Sequence, residues 1–143
     1  MKRFILAITG ASGACYGKRL FDCLKAAQAE IHVIISERGV ELLNIELGLK
    51  PSYFKGENVS LHKTTKINSS IASGSFHVDG MAIVPASMGT VGRVASGISG
   101  NLIERTADVM LKEKRKLIIV PREAPFSTIH LKNLLALDQA GAL

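Results

Sequence analysis

The stretch Phe4-Ile5-Leu6-Ala7-Ile8-Thr9-Gly10-Ala11-Ser12-Gly13-Ala14-Cys15-Tyr16-Gly17 decides how the rest of the chain is read. A short apolar run breaks on Gly10, turns through Ala11-Ser12-Gly13, and enters a helical segment from Ala14 to about Gln28. Its expected buried stripe is Leu20, Leu24 and Ala27. A strand that feeds a small-residue turn and then a helix is an anion site in outline. The free N–H groups of the first helical turn and the positive end of the helix dipole point to one place. Gly10 and Gly13 would let backbone approach a phosphate, and Ser12 would add a hydroxyl donor. The plainer reading is an ordinary strand-to-helix turn. The cluster of small residues at the bend favours the phosphate.

The same pattern recurs downstream. Ile31 to Ile35 is a compact β-branched run ended by Ser36-Glu37, and Gly39 to Leu47 reads as a helix stopped by Gly48-Leu49-Lys50-Pro51. Ser52 to Lys66 is polar and weakly patterned, so it reads as irregular, with a short extended piece near Val59 to His62. Ile67 to Ala72 reads as a short helix before the turn Ser73-Gly74-Ser75. Met81 to Pro85 is another apolar strand, and Ala86-Ser87-Met88-Gly89-Thr90 a second small-residue turn. A helix to about Ser96, a further helix capped near Asn101 and reaching Lys112, the strand Leu117 to Pro121, and a helix from Thr128 to Gln139 complete the order. Continuously apolar strands alternating with helices predict an α/β fold of the Rossmann-like, flavodoxin-like kind, a three-layer α/β/α sandwich around a parallel sheet. Ligands of such sheets lie outside the carboxyl ends of the strands. Here those ends are Gly10-Ala11-Ser12, Ser36, Ala86 to Thr90, and Arg122-Glu123, four distant segments brought to one rim.

Whole-chain properties narrow the function. At 143 residues the chain is long enough for one domain with a real core, and 47% of it is hydrophobic. The net charge of +6, from 18 basic and 12 acidic residues, favours anionic partners. Apart from Lys112-Glu113-Lys114-Arg115-Lys116 the charge is diffuse, and no basic stripe with interleaved aromatics points to nucleic acid. Cys15 and Cys23 lie eight residues apart on one predicted helix, too far to bridge, and read as reduced thiols packed in a cytoplasmic protein. The Met1-Lys2-Arg3 start followed by a short apolar run reads as a first strand rather than a signal peptide, and nothing reads as a membrane span. His32, His62, His77 and His130 are scattered, so no metal site is expected.

Five segments together resemble the flavin prenyltransferases of the UbiX type. They are Thr9 to Ala14, Pro85 to Thr90, Asn101 to Val109, Leu111-Lys112-Glu113, and Val120-Pro121-Arg122-Glu123-Ala124-Pro125-Phe126-Ser127 with Ile129-His130-Leu131. The resemblance runs from end to end of the chain. It implies an enzyme that transfers a dimethylallyl group from dimethylallyl phosphate to reduced FMN, closing a ring across flavin N5 and C6. The product would serve UbiD-type decarboxylases, including those of ubiquinone biosynthesis. It also implies a homododecamer with FMN and the prenyl donor at subunit interfaces. Carried over position by position, Gly10, Ala11 and Ser12, then Ser36, then Ser87, Met88, Gly89 and Thr90, and finally Arg122 match the FMN contacts. Glu46 and Glu123 match two catalytic glutamates, and Lys112 a lysine beside the prenyl phosphate. Ser73 and Gly74 match the loop lining the prenyl pocket.

The residue types suit that chemistry. Departure of an allylic phosphate needs cations to receive it, and forming the N5 and C6 bonds needs a base. Taken singly, Glu46 would be a solvated carboxylate, Lys112 a surface charge, Arg122-Glu123 a local ion pair and His130 a packing residue. The family's pattern continues beyond Leu143 with a strand, a proline-rich turn and a helix that carry a tyrosine and a basic residue for the donor phosphate. Against it the chain reads as a single domain over residues 1–143 that is C-terminally short. FMN binding without prenyl transfer is therefore the alternative function. Ala86 and Arg93 are smaller departures. A dinucleotide oxidoreductase fits less well, because Gly10-x-x-Gly13-x-x-x-Gly17 is not G-x-G-x-x-G. The proline motif and histidine pattern of cysteine decarboxylases are not visible.

Overall fold

The computed structural model describes residues 1–143. Five strands, β1 (Arg3–Ile8), β2 (Glu30–Ile35), β3 (Val59–His62), β4 (Gly80–Ala86) and β5 (Leu117–Pro121), form one sheet in the order β3-β2-β1-β4-β5, every neighbouring pair parallel. The helices are α1 (Ala14–Ala26), α2 (Glu37–Leu47), α3 (Met88–Ala95), α4 (Leu102–Lys112) and α5 (Thr128–Gln139). This is the three-layer flavodoxin-like arrangement the strand pattern predicts.

The central strands β1, β2 and β4 are mostly apolar because both faces are covered, with Arg3, Glu30 and His32 near their amino ends. Along β1, Ile5 and Ala7 turn to a core shared with Val91, Ile103 and Leu137 of α3, α4 and α5. Leu6 and Ile8 turn to a second core holding Phe21 of α1, Leu43 of α2 and Phe54. Phe21 and Phe54 meet edge to face with ring centroids 4.9 Å apart. The chain leaves β1 to build β2 and β3 on one side, then crosses back to build β4 and β5 on the other. The carboxyl ends of β1 and β4 therefore flank the reversal point, where such folds open a crevice. Thr9, 2% exposed, ties those ends together. Its hydroxyl donates to the Pro85 carbonyl at 2.7 Å and accepts from the Ser87 N–H at 2.8 Å.

The extended piece expected within the irregular segment 52–66 is present: Val59–His62 is an edge strand, registered against Ile31 to Ile34 of β2. Other details differ from the sequence reading. Ile67 to Ala72 is no α-helix but ends in a single 3-10 turn over Ser70–Ala72. The buried line of α1 is Ala14, Gly17 and Phe21, with Leu20 and Leu24 on its flank and Ala27 exposed. Cys15 and Cys23 fall off that line, so both thiols are free and exposed rather than packed. No helix is long and apolar enough to cross a membrane.

The β5 side is less covered. Ile118 and Val120 remain partly exposed, and Leu143 exchanges backbone hydrogen bonds with Leu117 and Ile119 along the outer edge of β5. On α5, Ile129, Leu131 and Leu135 are exposed, a run of apolar side chains that faces away from the chain's own core.

Candidate active site at the carboxyl rim

Four of the five helices start on a side chain of their own. Ser36 caps α2 through the Gly39 N–H and Ser87 caps α3 through the Thr90 N–H. Asn101 and Ser127 cap α4 and α5 in reciprocal pairs with Glu104 and His130. The exception is α1. Its N-cap is Gly13, in the left-handed region at φ 110°, which supplies no side chain. The free donors there are taken by Glu46, from the last turn of α2. Its Oε1 accepts from the N–H groups of Gly13 at 3.0 Å and Ala14 at 2.9 Å, and its Oε2 from the Ser12 hydroxyl at 2.9 Å. The Ala14 N–H above all, with Gly13, Ser12 and the Arg122 charge, holds the Glu46 carboxyl below the usual carboxylate range.

The turn read as a phosphate cradle thus holds a carboxylate of the chain itself. Gly10 is likewise not an open landing place for an anion. A Cβ there would lie 2.2 Å from the Cβ of Arg38, so the missing side chain accommodates the start of α2. The anion-binding groups sit one step across the rim instead.

That second place is a cleft of about 470 Å³ at the reversal point, lined almost wholly by polar residues. Thr9 and Gly10 end β1, Ser36 opens α2, Ser87 and Thr90 open α3, and Asn101 opens α4. Three helix starts converge there, with Arg38 and Arg93 on the walls, and such an arrangement suits a phosphate ester. Beside it lies a recess of about 330 Å³ bounded by Ser12, Gly13, Tyr16, Glu46 and Arg122. Arg122 leaves the end of β5, its backbone N–H bonded to the Ala86 carbonyl, and its side chain passes over Gly13. Glu123 is exposed, with Oε1 accepting only from its own neighbour Ala124 N–H at 3.1 Å. It makes no ion pair with Arg122. Ala11 is buried, Met88 is half-buried against the core, and Gly89 is exposed beside the Arg93 guanidinium.

Lys112, Ser73 and Gly74 are not at this rim. α4 runs from Asn101 on the cleft to Lys112 at the other end, 11 residues or about 16 Å of helix. Lys112 precedes β5, whereas Arg122 follows it. At that far rim the Lys112 ammonium donates to Glu113 at 2.6 Å, and Arg115 donates to the carbonyls of Gly74 and Phe76. A Cβ at Gly74 would lie 2.7 Å from a Glu113 carboxyl oxygen, so this loop packs closely on the end of α4. Within one chain the expected site residues therefore form two groups at opposite ends of the sheet.

Sequence reasoning also missed lining residues. Thr64 and Thr65 lie in the segment that reads as irregular, and Arg93 stands out in the sequence only as a departure from a family pattern. The signal for Arg93 was its place four residues after Gly89, on the same helical face. No group of three or more metal-ligating side chains is present.

A parallel sheet with a polar, helix-capped crevice at its reversal point is the arrangement in which nucleotide- and flavin-binding α/β proteins hold their ligands. The sequence profile of the Flavoprotein family matches residues 1–143, and the chain belongs to that family. Within it, the chain is 46% identical to the flavin prenyltransferase UbiX of Halalkalibacterium halodurans, over 96% of this chain and 72% of that protein. It is 43% identical to the UbiX of Methanocaldococcus jannaschii, over 99% and 76% respectively. The fold superposes on a UbiX crystallised with FMN and dimethylallyl pyrophosphate with a TM-score of 0.93, at 39% identity over 99% of this chain and 76% of that one. A dodecameric, FMN-dependent UbiX-like protein from Escherichia coli gives the same TM-score at 37% identity, covering 98% and 77%.

Proposed function

We infer that this protein is a flavin prenyltransferase, which uses reduced FMN as acceptor and dimethylallyl phosphate as donor. The observation that carries the reading is the pairing, at one rim, of a polar cleft built from three helix starts with a recess holding Glu46 and Arg122. The cleft has the donors a flavin phosphate needs, and the recess has the charges a flavin ring and a departing phosphate need. Relatives at 43–46% identity carry that activity in their names.

In the reaction, reduced FMN supplies an electron-rich N5 and C6. The allylic C–O bond of the donor breaks with its electron pair passing to phosphate, and N5 bonds the allylic carbon as its proton leaves. The far alkene carbon then bonds C6 as the neighbouring alkene carbon takes up a proton and the C6 hydrogen leaves as a proton. The acceptor gains C5H8 overall. Ser36 and the Ser87–Thr90 turn hold the phosphate and ribityl portion, with Gly10 and Ala11 bounding the flavin on the β1 side. Arg122 lies against the flavin, its delocalised cation offsetting the ligand's negative charge. Ser12 and Glu46 form a hydrogen-bonded pair able to hold and pass a proton beside the ring, and Glu123 on the next turn is the second carboxylate for that task. Charge of this kind, fixed before the reaction, is what lowers the barrier to phosphate departure.

Lys112, with Ser73 and Gly74, receives the donor phosphate, and it does so in a neighbouring copy of the chain. Its position at the far rim and the exposed apolar run of α5 support a homo-oligomer, for which the dodecameric relative is a precedent. The product passes to a UbiD-type decarboxylase. No metal is assigned a role, since cationic side chains receive the phosphate.

The test is anaerobic incubation with reduced FMN and dimethylallyl phosphate, followed by mass spectrometry of the flavin. A gain of C5H8 that disappears in Glu123→Gln supports the reading. Bound but unmodified FMN selects a flavin-binding protein without transfer, and absence of any flavin binding removes the reading altogether.

A further inference from the structure

Arg93 stands out among the charged groups of the cleft because its orientation is fixed from behind. Glu104, with a side chain 2% exposed, accepts from the Gly100 N–H at 2.9 Å, from the Asn101 N–H at 3.1 Å, and from Nε of Arg93. The same carboxylate completes the cap of α4, so its position is set by the helix start. With Nε engaged, the guanidinium plane is set and its two terminal amines face the cleft without a protein partner. A Cβ at Gly89 would stand 3.3 Å and 3.6 Å from those amines. They therefore lie over the first turn of α3, beside N–H groups that helix geometry leaves without acceptors. Gly89, lacking a side chain, is what leaves that space open.

Other charges facing the cleft do not duplicate this. Arg38 donates to Glu41 at 2.6 Å and is largely solvated, and Glu37 brings a negative charge to the opposite wall. A planar fork with two free amines, next to an N-terminal helix turn, fits a phosphate monoester better than a hydroxyl or a neutral ring.

We propose that Arg93, aligned by Glu104 and given room by Gly89, clamps the 5′-phosphate of FMN and makes the site select FMN over riboflavin. This rests on the flavin reading above and adds to it a residue that decides which flavin is accepted. The alignment has two parts that can be separated experimentally. Lysine at position 93 keeps the charge but not the fork. Alanine removes both, while Glu104 keeps its two backbone donors.

The test is titration of wild type, Arg93→Ala and Arg93→Lys with FMN and with riboflavin, read by quenching of flavin fluorescence. Loss of charge-assisted hydrogen bonds to phosphate predicts FMN affinity about 10- to 100-fold weaker in Arg93→Ala. Riboflavin affinity should stay within about twofold, and Arg93→Lys should fall between wild type and Arg93→Ala for FMN. Unchanged FMN affinity in Arg93→Ala overturns the proposal, and so does an equal loss for both flavins, which would mark a purely structural role. Wild-type protein that binds neither flavin would overturn the flavin reading itself, and with it this inference.

Discussion

Replacing Glu46 with alanine strips α1 of its only N-terminal acceptor. The substitution leaves the Gly13 and Ala14 N–H groups and the Ser12 hydroxyl to water. Water reaches this part of the rim, so the loss is that of a helix cap rather than of a buried ion pair. Caps are worth about 0.5–2 kcal/mol, including a dipole contribution of about 0.3–1 kcal/mol from a negative charge at the N-terminus. About 1 kcal/mol is the expected loss at pH 7. With a urea dependence of roughly 1–3 kcal/mol per molar, the midpoint should drop by about 0.3–1 M. The pH dependence gives a sharper handle. The folded-state pKa of Glu46 is lowered from 4.5, so its stabilisation is complete above that value and disappears as pH falls through the folded pKa. Wild type and Glu46→Ala should therefore differ at pH 7 and converge as pH falls below 4.5 through the lowered folded-state pKa, with Glu46→Gln intermediate because its amide oxygen still accepts one bond. Urea melts of the three proteins at several pH values measure this. A variant within about 0.5 kcal/mol of wild type and parallel to it at every pH would show that Glu46 is only a solvated surface carboxylate, and the account of the α1 turn would be wrong.

Further expectations concern the core, the β3 edge and the assembly. A Cβ at position 17 would sit 2.6 Å from the Val84 carbonyl oxygen, so Gly17→Ala should push α1 off β4 and cost about 1–3 kcal/mol, measurable by denaturant melts. Phe21→Ala, removing a side chain 1% exposed, should cost about 3–5 kcal/mol in the same assay. His62 is half-buried, bonded through Nε2 to His32 at 2.9 Å, with Ser69 3.5 Å from its Nδ1, Lys66 nearby and Glu30 on the far nitrogen of His32. Burial, with the His32 and Lys66 charges, lowers its pKa from 6.5, so the unfolded chain takes up the proton first and stability falls as pH drops below about 6.5. His62→Gln should flatten that part of the stability profile. Finally, Lys112→Ala and Glu123→Gln should each abolish prenyl transfer, yet co-assembled oligomers of the two should recover part of it. Complete inactivity of the mixture would contradict a site shared between copies.

The amino-acid sequence announces β1, β2, β4 and β5 plainly because each carries a compact apolar run, broken in β2 only by Glu30 and His32. β3 is harder to read, since Val59-Ser60-Leu61-His62 is an edge strand with one face on the core and one against polar groups. Capping chemistry is legible where the acceptor lies within the turn, as at Asn101. It is not legible at α1, where the acceptor lies more than thirty residues away on α2. The rim residues Gly10, Ser36, Ser87 and Arg122 follow from the parallel topology alone. The phosphate role assigned to the first turn did not allow for a carboxylate folding back onto it. Lys112 looks like a partner of Glu123 only in sequence pattern. The order of elements already puts one before β5 and the other after it, and a single chain cannot bring them together.

The most direct test of prenyl transfer follows the carbons of the donor. With 13C-labelled dimethylallyl phosphate and reduced FMN under anaerobic conditions, NMR of the flavin product should show label bonded at N5 and at C6, with one phosphate released per flavin modified. Label recovered as unchanged donor, or as free alcohol beside unmodified FMN, would contradict the assignment of this rim as a prenyl-transfer site.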